Sequence, residues 1–304
     1  MQGEKIMKKI IALVACLTLA LTLTVAAFAA DFDKTEDITV ISREASSGTR
    51  GAFDELMKIV VKTDAGTEDH LFPEAVMVSS TDEVSAKVEV DALAIGYTSL
   101  GAVTDKVKAV SVDGIEATVE NVKAGTYKIS RPFLLALPKT SQSALAKDFL
   151  TYAASKQGQE IVTGNGYIES VENAPEYTAA NLSGKLTFSG STSVEKVMEK
   201  LKEAYMALNP NAAIEITYNG SSAGIKDVTD GKVDVGMSSR ELKPEEAEVL
   251  VPTVFAHDGI AVIVNTANPL TALTSTQITS IFTGELRTWE AVDAAATVTP
   301  APAK

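Results

Sequence analysis

The stretch Ile41-Ser-Arg-Glu-Ala-Ser-Ser-Gly-Thr-Arg-Gly-Ala-Phe53 concentrates groups that donate hydrogen bonds to an anion. Arg43 supplies a permanent positive charge and a planar fork that fits a tetrahedral oxyanion. Ser46, Ser47 and Thr49 add hydroxyls, and Gly48 lets the backbone come close to a ligand. Taken alone, this loop reads first as an ordinary capped helix with a surface arginine. The same small, hydroxyl-rich composition returns at Gly190-Ser-Thr-Ser193 and at Gly220-Ser-Ser-Ala-Gly224. Three such turns in one chain point to a site for a tetrahedral oxyanion. None carries the lysine of a nucleotide-binding phosphate loop, which argues against ATP or GTP.

An enzymatic alternative starts from the same residues. Gly220–Gly224 satisfies the pattern G-x-S-x-G, and Asp234 and His257 follow Ser222 in the chain order of α/β hydrolases. A Gly- and Ser-rich turn meets that short pattern easily. His257 also lies inside an apolar run rather than on a loop after a strand. His70 and His257 are the only two histidines, and neither has a partner at ligand spacing, so no metal site and no cofactor are expected.

The turns need elements to position them. Ile38, Val40 and Ile41 predict a strand, and Phe53, Leu56, Met57 and Val60 follow the turn at helical spacing. Such a turn puts unpaired backbone N–H groups and the positive end of a helix dipole beside the hydroxyls. Residues 61–74 are polar and predict a loop. Val76–Val78 and Leu93–Tyr97 predict strands, with Ser79-Ser80-Thr81 a turn and a helix from Asp82 to Val90 between them. Val107, Ala109, Val110, Ile115 and Val119 predict further short strands. Pro132–Pro138 is a buried strand, followed by a helix carrying Leu145, Phe149, Leu150 and Tyr152 that Gly158 breaks.

Residues 169–183 lack periodicity and predict a linker. The grammar then restarts. Leu186–Phe188 is a strand, and Thr192 and Glu195 have capping-box spacing for a helix carrying Val197, Leu201 and Tyr205. Ile214–Tyr218 is a strand, Ile225 and Val228 mark a short helix, and Val233 and Val235 a strand. An apolar run from Val254 to Val264 is broken at His257-Asp258-Gly259. A helix capped by Thr274 and Gln277 carries Ile278, Ile281 and Phe282. Trp289 closes the ordered text, leaving residues 293–304 as a flexible tail. Alternating strands and helices imply an α/β fold with largely parallel sheets, which bind ligands at strand carboxyl ends.

The 304 residues, 45% hydrophobic and 22% charged, suit a two-lobed protein. Lys8 and Lys9, the apolar run Ile10–Val25 and Ala27-Phe28-Ala29 form an export signal over residues 1–29. The only cysteine, Cys16, falls inside it; Leu13–Cys16 resembles a lipoprotein cleavage box, although too much apolar sequence follows. The net charge of −13 becomes more negative once Lys5, Lys8 and Lys9 leave with Glu4. That acidity argues against nucleic acid and anionic membrane as partners, but not against a buried small anion.

Gly190-Ser-Thr-Ser-Val194, Gly220–Ile225, Asp234-Val-Gly-Met-Ser-Ser-Arg240, Asp258–Asn265, Ile281-Phe-Thr-Gly284 with Trp289, and Ser42-Arg43…Ser47-Gly-Thr-Arg50 resemble the phosphate-binding proteins of bacterial ABC transporters. Ala94–Gly101, Ser130-Arg-Pro132 and Gly158-Gln159…Gly166-Tyr-Ile168 fit the same family. The resemblance spans most of residues 38–290, but the halves come in the reverse order, which implies a circular permutation joined through 169–183. A single closed molecule then requires residues 31–37 and 291–304 to lie near each other; the alternative is a domain-swapped pair. The family implies a two-lobed, type II periplasmic-binding-protein-like α/β fold. One lobe would comprise 31–129 plus 264–292 and the other 130–263, with crossings near Ser130 and Val262–Val264. It implies an exported, non-enzymatic receptor, periplasmic or at the outer face of a bacterial membrane, that hands inorganic phosphate to an ABC permease.

By that resemblance the oxyanion donors are Thr192, Ser193, Ser221, Arg43, Ser47, Gly48 and Thr49, with Ser222 a bystander. Two positions depart from the family. Many members have an Asp where Ser239 stands, accepting the proton of hydrogen phosphate, and an acidic residue where Ala45 stands. Asp258, with no obvious partner in the sequence, is the candidate to take over that role, with Glu44 an alternative. Sulfate, molybdate and tungstate therefore stay open as ligands.

Overall fold

A computed structural model describes residues 32–63, 66–141 and 143–296. The export signal and the tail beyond 296 lie outside the described residues. The first half begins with β1 (Thr39–Arg43), α1 (Gly48–Leu56), β2 (Val60–Thr63), β3 (Gly66–Asp69), β4 (Val76–Val78), α2 (Thr81–Val90) and β5 (Ala94–Ser99). It continues through β6 (Val107–Ala109), β7 (Ser111–Val112), α3 (Val119–Lys123), β8 (Ser130–Pro138), α4 (Ala144–Ala153), α5 (Lys156–Gly164) and β9 (Ile168–Glu169). The second half carries β10 (Gly184–Gly190), α6 (Glu195–Leu208), β11 (Ala212–Tyr218), α7 (Ser221–Thr229), β12 (Val235–Ser238) and α8 (Pro244–Val249). The long β13 (Leu250–Asn265), β14 (Ala272–Leu273), α9 (Ser275–Phe282) and α10 (Trp289–Ala296) complete it.

The main sheet runs β11-β10-β12-β8-β13-β5-β1-β4. Its two wings, β11-β10-β12 and β5-β1-β4, are parallel, as expected of strands fed by crossover helices. Between them β8 and β13 run antiparallel. β13 changes partner along its length: it pairs with β8 from Leu250 to Gly259, then with β5 from Ile260 to Val264. One strand therefore serves both wings. Each wing has its own apolar core. One gathers Phe133, Leu135, Phe149, Phe188, Leu201 and Met237, and the other Ile41, Val78, Val84, Val88 and Ile263.

Several expectations change on the structure. His257-Asp258-Gly259 does not interrupt β13, because Asp258 stands directly opposite Arg131 on β8 and the pair carries its charge through the sheet. In place of the loop expected over 61–74, the hairpin β2–β3 runs from Val60 to Asp69, and its mostly exposed residues give no apolar alternation to read. Val119 opens a helix instead of a strand, since the Thr118 hydroxyl caps the Asn121 N–H. Gly158 does not break α4. That helix ends at Ala153, Ser155 caps α5, and Gly158 sits inside α5 where a Cβ would lie 2.3 Å from the Tyr152 carbonyl oxygen.

Residues 170–183 are irregular but tied down. Gln159 Oε1 accepts from Ser170 N at 2.8 Å, and the Tyr177 hydroxyl donates to Asp148 at 2.6 Å. α10 continues past Trp289 into residues expected to be tail. The two ends of the fold meet: Ile38 N donates to Arg287 O at 2.6 Å, Glu290 N donates to Lys34 O at 2.8 Å, and Asp37 bridges Thr288.

Candidate functional site

Four helical amino ends converge where the wings join. They belong to α1 at Gly48, α2 at Thr81, α7 at Ser221, and the short 3-10 turn Thr192–Val194 leading into α6. Each follows a strand end, so the positive ends of the dipoles meet at one place. Close approach is built into the glycines. A Cβ on Gly48 would lie 2.1 Å from Ser221 Oγ and 2.7 Å from Ser239 Oγ, so α1 and α7 touch only because that side chain is absent. Gly220 holds φ +94°, and a Cβ there would lie 2.9 Å from Ser46 Oγ.

Between the helix ends the side chains form a buried nest of hydroxyls. Thr49 Oγ1 lies 2.7 Å from Ser193 Oγ, and Thr81 Oγ1 lies 3.2 Å from Ser193 Oγ and 3.3 Å from Thr192 Oγ1. On the other side Ser191 Oγ donates to Ser239 Oγ at 2.9 Å, and Ser221 Oγ lies 3.3 Å from it. Arg43 enters from β1 almost fully buried, donating through Nη2 to Thr192 at 3.2 Å and through Nη1 to Thr81 at 3.4 Å. Its Nε and Nη2 also meet the two oxygens of Glu44, at 3.1 and 2.9 Å. Beneath it Ser42 Oγ meets the Tyr97 hydroxyl at 2.9 Å, and Phe53 stacks on Tyr97 at 4.0 Å, fixing the floor of the loop.

Of the residues singled out from sequence, Arg43, Thr49, Thr192, Ser193, Ser221 and Ser239 come together here, with Gly48 against Ser221. Ser47 is buried at the rim, where its hydroxyl caps α1 by accepting from Arg50 N. The capping box expected at Thr192 and Glu195 is not formed: Ser191 accepts from Ser193 N, and Thr192 is left to meet Arg43. Asp258 is not the partnerless carboxylate expected. Arg131 donates to its Oδ2 through Nε at 3.2 Å and Nη2 at 2.9 Å, and Ser99 donates to Oδ1 at 2.9 Å. Burial pushes the Asp258 carboxyl up, against the pull of Arg131 and Ser99.

Sequence reasoning missed Thr81, Ser191 and Arg131. Arg131 Nη1 reaches Ser239 Oγ at 3.4 Å. Thr81 had a readable signal, since Ser79-Ser80-Thr81 is a fourth turn of the strand–hydroxyl–helix kind. Arg131 lay in the Ser130-Arg-Pro132 motif, but nothing local pointed to its role, because its partner and its target are distant in the chain.

The hydrolase elements stand apart. Ser222 Oγ accepts from Arg240 at 3.3 Å, Asp234 accepts from Thr187 N and Oγ1 at 2.8 and 2.7 Å, and His257 is exposed on β13.

Two α/β wings sharing a central strand, with helix amino ends facing one another across their junction, define a two-lobed binding protein of the periplasmic kind. The model of the PBP superfamily domain matches residues 5–157 and 175–303. The phosphate-binding protein PstS 2 of Streptococcus pneumoniae is 46% identical over 255 residues, covering 84% of this chain and 87% of that protein. The crystal structure of a phosphate-binding protein of a phosphate ABC transporter from Streptococcus pneumoniae TIGR4 covers 84% of this chain and 99% of its own, at 45% identity and a TM-score of 0.70. The phosphate-binding protein PstS of Bacillus subtilis matches at 32% identity over 111 residues, 36% of this chain. The chain belongs to the PBP superfamily and, within it, to the phosphate-binding proteins of the PstS family.

Proposed function

We propose that this protein captures inorganic phosphate between its two lobes and delivers it to an ABC permease. The observation that carries this reading is the convergence of Arg43 and Thr49 with Thr192, Ser193 and Ser221 in one buried nest. A tetrahedral anion offers four oxygens to donors arriving from several directions. Helix dipoles, backbone N–H groups and a guanidinium supply those donors in a dry setting, where each counts for more than in water. The donors come from both wings, so an anion between them would favour the closed arrangement, which a permease could read.

The binding set is Arg43, Ser47, Gly48, Thr49, Thr192, Ser193, Ser221 and Ser239, with Asp258 acting through Arg131. The lobes run through 31–129 plus 264–292 and through 130–263. The partner exchange on β13 at Gly259 and Ile260 and the separate apolar cores support two lobes, with Ile260–Val264 on the side of β5 and of the core around Ile41.

The halves are circularly permuted relative to shorter matches such as the Bacillus subtilis protein. Three observations favour this: that protein matches only about a third of the chain, the pneumococcal protein matches nearly end to end, and residues 34–38 pair with 287–290. Both halves of the nest come from one copy, which favours a monomer over a domain-swapped pair. The protein is non-enzymatic, requires no cofactor and works outside the cytoplasm, in keeping with the signal-like segment 1–29. No helix among the described residues is long and apolar enough to cross a membrane. Calorimetric titration of the mature chain, stripped of anions, tests the reading. Saturable one-to-one binding of phosphate is expected, and absence of phosphate binding overturns it.

A further inference from the structure

The nest contains two guanidinium–carboxylate pairs, and they are built alike. Arg43 turns its Nε–Nη2 edge to Glu44 and its Nη1 to Thr81. Arg131 turns its Nε–Nη2 edge to Asp258 and its Nη1 to Ser239. Arg131 and Asp258 are directly opposed across β8 and β13 and fully buried, so the orientation of this guanidinium is set by the sheet itself. Both carboxylates are used up in this way. The oxygens of Asp258 accept from Ser99 and Arg131, and those of Glu44 accept from Arg43 and Ser46. Among the described residues, the side chains left to face the nest are guanidinium groups and hydroxyls, and a hydroxyl can turn to donate or to accept.

We propose that Arg131 is a second guanidinium of the anion site and, with Ser239 beside it, sets the ligand class: fully ionised tetrahedral dianions such as sulfate as well as hydrogen phosphate. This rests on the phosphate reading above. A fixed carboxylate in a dry site accepts the proton of hydrogen phosphate and repels an anion that has none, because two acceptors then face each other unpaired. Ser239 imposes no such rule. Its hydroxyl accepts from Arg131 and Ser191 and lies within reach of Ser221 in either direction, so it can turn to donate to an unprotonated oxygen or to accept from a protonated one. Asp258 is a positioning residue: it aims Arg131 and does not itself face the nest.

The test is competition calorimetry with inorganic phosphate and sulfate on the mature chain and two variants. For the unaltered chain, sulfate is expected to displace phosphate with an affinity within about a hundredfold of it. Ser239→Asp is expected to widen that ratio at least tenfold. The double variant Arg131→Gln with Asp258→Asn leaves no lone charge buried, and is expected to weaken both anions at least tenfold. Phosphate binding that excess sulfate leaves untouched would overturn the proposal without mutagenesis. So would a folded double variant that keeps phosphate affinity within twofold. Loss of phosphate binding by the unaltered chain would strike the phosphate reading itself, a different result from exclusion of sulfate.

Discussion

The Arg43–Glu44 and Arg131–Asp258 pairs do the same geometric job by different means. Arg43 and Glu44 are neighbours in the chain, and the Glu44 side chain keeps 30% of its surface in water. Arg131 and Asp258 come from separate strands, and Asp258 has no exposed surface. In the local pair the guanidinium is just as buried, but solvent reaches its carboxylate and the carbonyls of Val78 and Ser79 also accept from Arg43, so losing Glu44 costs less. A cross-strand pair inside the sheet has given up its water and depends on its partner. The first sits at the loop after β1, while the second is part of the sheet that β8 and β13 build.

The sharpest way to break this contrast is to neutralise each carboxylate in turn. Asp258→Asn leaves Arg131 buried without a counter-charge and is expected to cost about 3–5 kcal/mol of unfolding free energy. Glu44→Gln is expected to cost less, about 1–2 kcal/mol, because the Val78 and Ser79 carbonyls still accept from Arg43. Urea denaturation monitored by circular dichroism measures both, and equal losses would erase the distinction. Next in size, Arg43→Met removes charge-assisted bonds aimed at the anion. It is expected to weaken phosphate roughly a hundredfold in calorimetry while leaving the fold intact.

A third test concerns Asp54, the other buried carboxylate near the first pair. Arg50 donates to one of its oxygens at 3.0 Å, and the other oxygen has no partner among the described residues. Burial outweighs Arg50 and raises the carboxyl from 3.8 to about 6. The folded protein therefore holds a proton that the unfolded chain has released between those values. The resulting stability is fully present below about pH 4 and lost as pH rises through about 6. Relative to Asp54→Asn, the unaltered chain should gain on the order of 2 kcal/mol when taken from neutral pH to about pH 4. Chemical denaturation at both pH values reads it, and a parallel pH dependence in the two proteins would refute it. Smallest of all, Ser222→Ala should change phosphate affinity by less than about twofold, since its hydroxyl serves Arg240 outside the nest.

The two pairs also mark what the sequence could and could not convey. Turns of Ser, Thr and Gly between an apolar strand and an amphipathic helix announce themselves locally. Hence Arg43, Thr49, Thr192, Ser193 and Ser221 were legible, as was the alternation of strand and helix. Thr81 lay in a turn of the same kind and was within reach. Arg131 stood in the Ser130-Arg-Pro132 motif, but its role was not legible, because it is created by the register of β8 against β13, which no local pattern records. The same blindness made Asp258 look partnerless and made β13 look broken. The hairpin β2–β3 was lost for another reason: with its residues mostly exposed it has no apolar periodicity to detect.

A crystal structure of the mature chain grown with phosphate addresses the central claim most directly. One tetrahedral anion is expected in the nest, bonded to Arg43, to hydroxyls of Thr192, Ser193, Ser221 and Ser239, to backbone N–H groups at the start of α1 and to Arg131, which still grips Asp258. Phosphate bound elsewhere on the surface, with the nest hydroxyls still bonded to one another, would contradict it.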